Sequence, residues 1–380
     1  MQSDNRHDKD VRHDSDARST PQHRILAICA AITGLVALAA FFAPAAWSHD
    51  LASPFNVVRS IVMLGFLVLI LVWVAGRREP AASFVPRTMS GRVLLIVIPV
   101  LVLLASLAQA FYRDFAVWLV RDENRGWNYR HAIFVKAAME LASCVIFVTL
   151  LVTFIHRKVP WAALACGLLA FVTFAMVGEE LSWGQRIFNW ATPGGFAQIN
   201  DQRETNFHNM ATELFQNVWY FAGWLLLVAI PFFRTAIAAG LVRLKRFSFL
   251  LDFLPPAWLV LVFAPAYALA DPIKSPMGLR YGSILFSILG AAAFLIYVTV
   301  AGRGRLVATW WSLVIFAVSL YVELFMSLSW DSNQGVPTEY LEVFIAFGTL
   351  YWAAVVRKQV TASARVRNGA ADPAIEVATE

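Results

Sequence analysis

The chain has 380 residues, of which 59% are hydrophobic and 15% are charged, and its formal net charge is +6. This composition is more apolar and poorer in charge than that of soluble proteins, which excludes an ordinary soluble domain. Apolar runs of about 20 residues recur, the length that a helix needs to cross a bilayer. The basic residues cluster in loops between these runs, a pattern typical of membrane topology and not of a nucleic-acid partner.

Ten apolar segments predict an all-α fold, a polytopic transmembrane helical bundle that occupies residues 25–356. We expect the polar residues 1–24 before it to be a disordered cytoplasmic tail, and residues 357–380 after it to be a second cytoplasmic tail. The predicted helices lie at about 25–47, 57–76, 93–112 and 132–156, then from 160 into a polar stretch that starts at 178, and finally at 207–239, 249–270, 283–301, 306–330 and 341–356.

The distribution of Lys and Arg predicts the orientation of the bundle. Dense basic clusters follow the second, fourth, sixth, eighth and tenth helices, so both termini are expected on the cytoplasmic side, N-in and C-in. The loops after the odd-numbered helices carry most of the unusual polar residues. We therefore expect a functional site on the outer face, which is the periplasmic face if the membrane is the inner membrane of a Gram-negative bacterium.

The densest polar stretch is 178–209, which connects the fifth and sixth predicted helices. Its first part reads GEELSWGQR, and a Pro-Gly-Gly turn follows, so we expect a re-entrant loop on the outer face. Ionisable groups beside a bilayer are costly and usually mark function. In a continuing helix Glu179, Ser182 and Arg186 would share one face, which makes Arg186 the expected partner of the adjacent glutamates.

This stretch predicts an active site. Glu179 or Glu180 is the candidate general base, assisted by His208, and Arg186 is a candidate anion-binding group. Ser182 is a candidate nucleophile, although no GxSxG motif surrounds it. The predicted catalytic residues are Glu179, Glu180, Ser182, Arg186, Glu204 and His208, and the predicted binding residues are Glu140, Trp183, Gln185, Asn206, Asn209, Glu323 and Asp331.

Two other interpretations of the same residues stay open. In the first, Glu180, Glu204 and His208 hold a divalent metal ion, since carboxylates and imidazoles are ordinary metal ligands. In the second, the polar groups form a buried network that only fastens the loop. Nearby, Lys136 and Glu140 are spaced i, i+4, which predicts an ion pair or the lining of a cavity.

The strings GEELSWGQR and ETNFHN resemble a paired signature of uncharacterised bacterial multi-pass membrane proteins. The likeness covers less than a tenth of the chain, and it implies a bacterial polytopic protein without implying an activity.

The sequence favours three functions in turn. The first is an enzyme, a hydrolase or transferase, that acts at the outer face on a membrane lipid, a lipid-linked sugar or another amphiphile. The second is a transporter, or a proton- or cation-coupled binding protein, that uses the same carboxylates. The third is a structural or assembly protein of the membrane.

Overall fold

A computed structural model describes residues 86, 88–112, 131–200, 203–210, 212–269 and 336–367. These residues form helices and connections, and none of them lies in a β-strand. The α-helices are α1 Met89–Phe111, α2 His131–His156, α3 Pro160–Glu180, α4 Gln185–Phe188, α5 Gly194–Ile199, α6 Thr212–Trp224, α7 Ile230–Phe232, α8 Arg234–Arg243, α9 Leu259–Phe263 and α10 Val336–Arg367.

The pair α2 and α3 is the best-defined unit of the bundle, and its bounds agree with the predicted fourth and fifth helices. Pro160 stands in the first turn of α3, where its missing N–H is not needed. Small side chains let the two helices pack closely, as in many membrane helix pairs. The residues buried on α3 include Ala162, Ala163, Cys166 and Ala170.

The chain between α6 and α9 departs from the prediction of two long helices. The sixth starts at Thr212, passes through a π-helical turn at Leu225–Ala229 and breaks at Phe233 before α8 begins. The predicted seventh helix is a 3₁₀ segment, Lys245–Phe253, followed by short helical pieces. The prediction of continuous helices was wrong here because proline removes backbone donors and clashes with the preceding turn, and Pro231, Pro255, Pro256 and Pro265 lie in this region.

Helix α10 is longer than predicted. It runs for 32 residues, Val336–Arg367, or about 48 Å at 1.5 Å per residue. The hydrocarbon core of a bilayer is about 30 Å thick, so the helix extends well beyond it. Residues 357–367, predicted as part of a tail, are therefore helical.

Four helices in the described part of the chain are long and apolar enough to cross a membrane: Met89–Ala108, Ala132–His156, Pro160–Glu180 and Glu339–Ser363. The bent pair formed by Val218–Phe232 and Ile237–Arg243 would be a fifth. Leu164, Leu168 and Phe171 form an exposed apolar stripe along α3. Such a stripe suits lipid contact, so these helices indicate a multi-pass membrane protein.

Several predictions lie outside the described residues. They are the first, second, eighth and ninth helices, the tail 1–24, and the site residues Glu323 and Asp331.

Candidate functional site

The connection after α3 begins with a left-handed turn. The helix ends at Glu180, and Ser182, Trp183 and Gly184 have φ values of 48°, 52° and 95°. The turn brings the Trp183 ring back onto α3, where a Cβ added at Gly178 would lie 2.8 Å from it. The predicted helical face of Glu179, Ser182 and Arg186 was therefore wrong.

Arg186, Ser182 and Glu204 form the centre of this connection. The Arg186 guanidinium donates to Glu204 Oε2 at 2.6 Å and to Ser182 Oγ at 3.1 Å. Ser182 is fully buried, and its hydroxyl donates to Glu204 at 2.8 Å. Asn206 Nδ2 donates to the same two oxygens, at 3.1 Å from Glu204 and 3.3 Å from Ser182. Arg186 thus pairs with Glu204 and not, as predicted, with the glutamates of α3.

Side-chain amides tie the rest of the connection together. Gln185 Oε1 accepts from the Thr205 backbone N–H at 2.7 Å, and Gln185 Nε2 donates to Thr192 Oγ1 at 2.7 Å. Asn200 Nδ2 donates to both the backbone and the side-chain oxygen of Asn206, each at 2.8 Å. These bonds give Gln185 and Asn206 a structural role in the loop.

Glu179 joins the end of α3 to the start of the next helical segment. Its Oε2 accepts from the backbone N–H groups of Phe207 and His208, both at 2.8 Å, and lies 3.2 Å from His208 Nδ1. Its Oε1 accepts from the Trp183 indole at 2.7 Å. Both carboxylate oxygens are therefore occupied by donors of the chain itself.

A second cluster lies around the ammonium of Lys136, deep between α2, α3 and α10. Lys136 Nζ lies 3.0 Å from Glu180 Oε2, 3.1 Å from Glu339 Oε2 and 2.6 Å from Glu342 Oε2. Lys136 itself is buried. The i, i+4 ion pair of Lys136 with Glu140 predicted from the sequence was wrong, because the ammonium is directed to carboxylates of other helices. We call Lys136, Glu140, Glu180, Glu339 and Glu342 the Lys136 cluster.

Glu140 is the deepest member of this cluster. It is 1% exposed and close enough to Glu180, Lys136 and Glu342 to interact with their charges. Its Oε2 is buried and has no hydrogen-bond donor in the part of the chain that the structure describes. A buried carboxyl oxygen without a donor is costly, and it marks a place where a proton or cation is missing from the balance.

Two further groups border the cluster. Tyr220 donates its phenolic hydrogen to Glu342 Oε1 at 2.7 Å. His208 lies close enough to Glu342 to interact electrostatically with it. The two oxygens of Glu342 thus receive donors from α2 and α6 while the residue itself belongs to α10, so one carboxyl links three helices.

Access to the cluster is graded. The Glu339 side chain is 36% exposed, those of Glu180 and Glu342 are 14% and 13% exposed, and Glu140 is almost fully enclosed. The series leads from the end of α3 and the start of α10 inward to Glu140. The sequence analysis missed Glu339 and Glu342, although two glutamates spaced i, i+3 on an otherwise apolar helix were a usable signal.

The structure separates the three residues proposed as metal ligands. Glu180 contacts Lys136, Glu204 contacts Arg186, and His208 contacts Glu179. No group of three or more His, Cys, Asp or Glu residues suited to a metal ion occurs among the described residues. The metal set proposed from the sequence was wrong, because Glu204 and His208 do not lie on one helix as its i, i+4 spacing requires.

The other predicted binding residues have separate fates. Trp183 is partly exposed beside Phe174 and Phe207, and Asn209 belongs to the 3₁₀ turn His208–Met210, although its side chain lies outside the described part. Comparisons of the chain with family models, with curated proteins and with solved structures found no match.

Proposed function

We propose that the chain is a polytopic inner-membrane protein that transports a solute or ion with coupled binding of a proton or monovalent cation. The Lys136 cluster is the coupling site. The observation that carries the proposal is Glu140, whose buried carboxyl oxygen has no donor among the described residues and faces three further carboxyls.

Charge balance supports this function. Four carboxyls surround one ammonium, so the fully ionised cluster would carry an excess of three negative charges, four minus one. Such an excess is expensive in a medium of low dielectric constant. Protons or a cation supply the missing positive charge, and ionisable groups within membrane helices commonly form such relays.

The ten-helix arrangement with both termini in the cytoplasm belongs to the same proposal. It places the cluster near the periplasmic surface, because Lys136 lies near the start of α2 and Glu180 at the end of α3. Ions would enter past Glu339, the most exposed carboxyl of the cluster. Membrane lipids surround the helices, and the expected partners include no nucleic acid.

An enzyme acting on a lipid draws less support from the geometry. Ser182 is buried and donates to Glu204, and both oxygens of Glu179 accept hydrogen bonds from the chain. A nucleophile and a general base need free access to a substrate. These groups instead hold the connection between α3 and α6 in one conformation.

The proposal is tested by recording charge movement in reconstituted membranes. Liposomes that contain the full chain are adsorbed on a solid support and exposed to jumps of pH, Na⁺ or K⁺. We expect a transient current for the wild type with at least one of these ions. Glu140→Gln keeps the shape of the side chain and should abolish that current.

Glu204→Gln is the matched control, because it makes the same chemical change in a carboxyl that lies outside the cluster. It should retain the current if its protein is folded. The proposal is wrong if the wild type gives no current with any of the three ions, or if Glu140→Gln behaves like the wild type.

A further inference from the structure

A basic cleft lies at the opposite end of the bundle from the Lys136 cluster. It is formed by the turn between α2 and α3, the 3₁₀ segment Lys245–Phe253 and the end of α10, and it has a volume of about 620 Å³. The 21 positions that separate Lys136 from Arg157 correspond to about 30 Å along a helix. That distance is the thickness of the hydrocarbon core, so the cleft lies at the other membrane surface.

Two arginines line this cleft without carboxylate partners. Neither Arg157 nor Arg246 forms an ion pair within the described ranges. The carboxyl of Asp252 also lines the cleft, but it accepts from Ser363 Oγ at 3.1 Å. Lys158 follows Arg157 directly and is exposed, so the mouth of the cleft is positively charged.

Both guanidinium groups are held in position. Arg157 donates to the backbone oxygen of Val360 at 3.4 Å, which ties it to α10. The Arg246 guanidinium lies 4.7 Å from the ring centroid of Trp161, a cation–π arrangement. Fixed guanidinium groups suit phosphate, because they offer several N–H donors in a rigid plane.

We propose that this cleft binds a phosphate-bearing anion, which the membrane supplies as the headgroup of an anionic phospholipid. Basic pockets between membrane helices at the cytoplasmic surface are suited to such headgroups. The exposed ring of Trp161 lies at the level where aromatic side chains meet the interface. A volume of this size also accommodates a headgroup.

The experiment measures lipid retention by the purified full chain with native mass spectrometry. The probes are phosphatidylglycerol and phosphatidylcholine with identical acyl chains. We expect preferential binding of phosphatidylglycerol, and Arg157→Gln and Arg246→Gln should each weaken it about fivefold. Arg357→Gln removes the same charge from an exposed position on α10 outside the cleft, and it should bind as the wild type does.

Inorganic phosphate and glycerol phosphate are added as soluble competitors to identify the source of the anion. Competition by either supports a phosphate site that also accepts a free ligand. Phosphatidylglycerol binding without competition supports a site specific for the lipid. Equal retention of the two lipids by the wild type would overturn the proposal, as would an equal loss of binding in Arg357→Gln. Both cleft arginines are exposed, so their variants should fold, and either one alone suffices for the test.

Discussion

At the scale of single residues, Gly178 and Trp183 determine how the chain leaves α3. The left-handed conformation of Ser182 and Trp183 is unfavourable by roughly 1–2 kcal/mol for each residue without other contacts. The contacts of Trp183 with Glu179 and with the surface above Gly178 offset part of that cost. The side chain of position 178 therefore controls the geometry of a segment five residues later.

Substitution Gly178→Ala should destabilise the protein by about 1–3 kcal/mol, because the new methyl group would overlap the Trp183 ring. Alanine is otherwise preferred to glycine in a helix by about 1 kcal/mol, so the sign of the effect is informative. Thermal unfolding in detergent measures it. Gly194→Ala is the control, since no atom lies within 4 Å of its added Cβ. Equal transition temperatures for the two variants would contradict the assigned contact.

The sequence singled out some residues of the ion site and missed others for a physical reason. Glu140 and Glu180 attract notice because each is a charge in or beside an apolar helix. The partner of Lys136, however, is separated from it by 206 positions along the chain. Periodicity shows which residues share a helix face but not which helices pack together. The Lys136 cluster therefore emerges only from the packing of α10 against α2.

At the scale of elements, the connection between α3 and α6 is a unit held by hydrogen bonds from charged and amide side chains. Its core is the pair Arg186 and Glu204, whose side chains are mostly buried. The Ser182 hydroxyl and the Asn206 amide complete the same network. This unit fixes the end of α3, and so it fixes Glu180 beside Lys136.

A double-mutant cycle with Arg186→Gln and Glu204→Gln tests this coupling. We expect an interaction free energy of roughly 1.5–3 kcal/mol in the free energy of unfolding, the range for hydrogen bonds to charged groups. Hydrogen exchange should rise in residues 182–210 of each single variant while α2 stays protected. Additive effects of the two substitutions would show that the pair does not hold the connection.

The accuracy of the predicted elements follows from their local chemistry. Helices α1, α2 and α3 were predicted nearly to the residue because an uninterrupted apolar run and simple end signals define each one. The segment 245–269 was mispredicted because Pro255, Pro256 and Pro265 break the helix instead of only kinking it. The end of α10 was placed too early because Arg357 and Lys358 mark the membrane surface and not the end of the helix.

At the scale of the whole molecule, the described helices carry opposite charge patterns at their two ends. One end holds carboxyls in excess around Lys136, and the other holds the unpaired Arg157 and Arg246. The helices between them are apolar and present aliphatic and aromatic side chains outward. This polarity is consistent with a protein that binds an ion at one surface and is anchored by lipid phosphate at the other.

Infrared difference spectroscopy of the purified full chain, recorded as the pH is varied, tests the central claim most directly. A buried carboxyl that binds a proton has a C=O stretching band that is absent when the group is ionised. We predict such a band in the wild type and its loss in Glu140→Gln, with the band retained in Glu204→Gln. A wild-type spectrum without a buried carboxyl band at any pH at which the protein is folded, or an identical band in Glu140→Gln, would contradict the account.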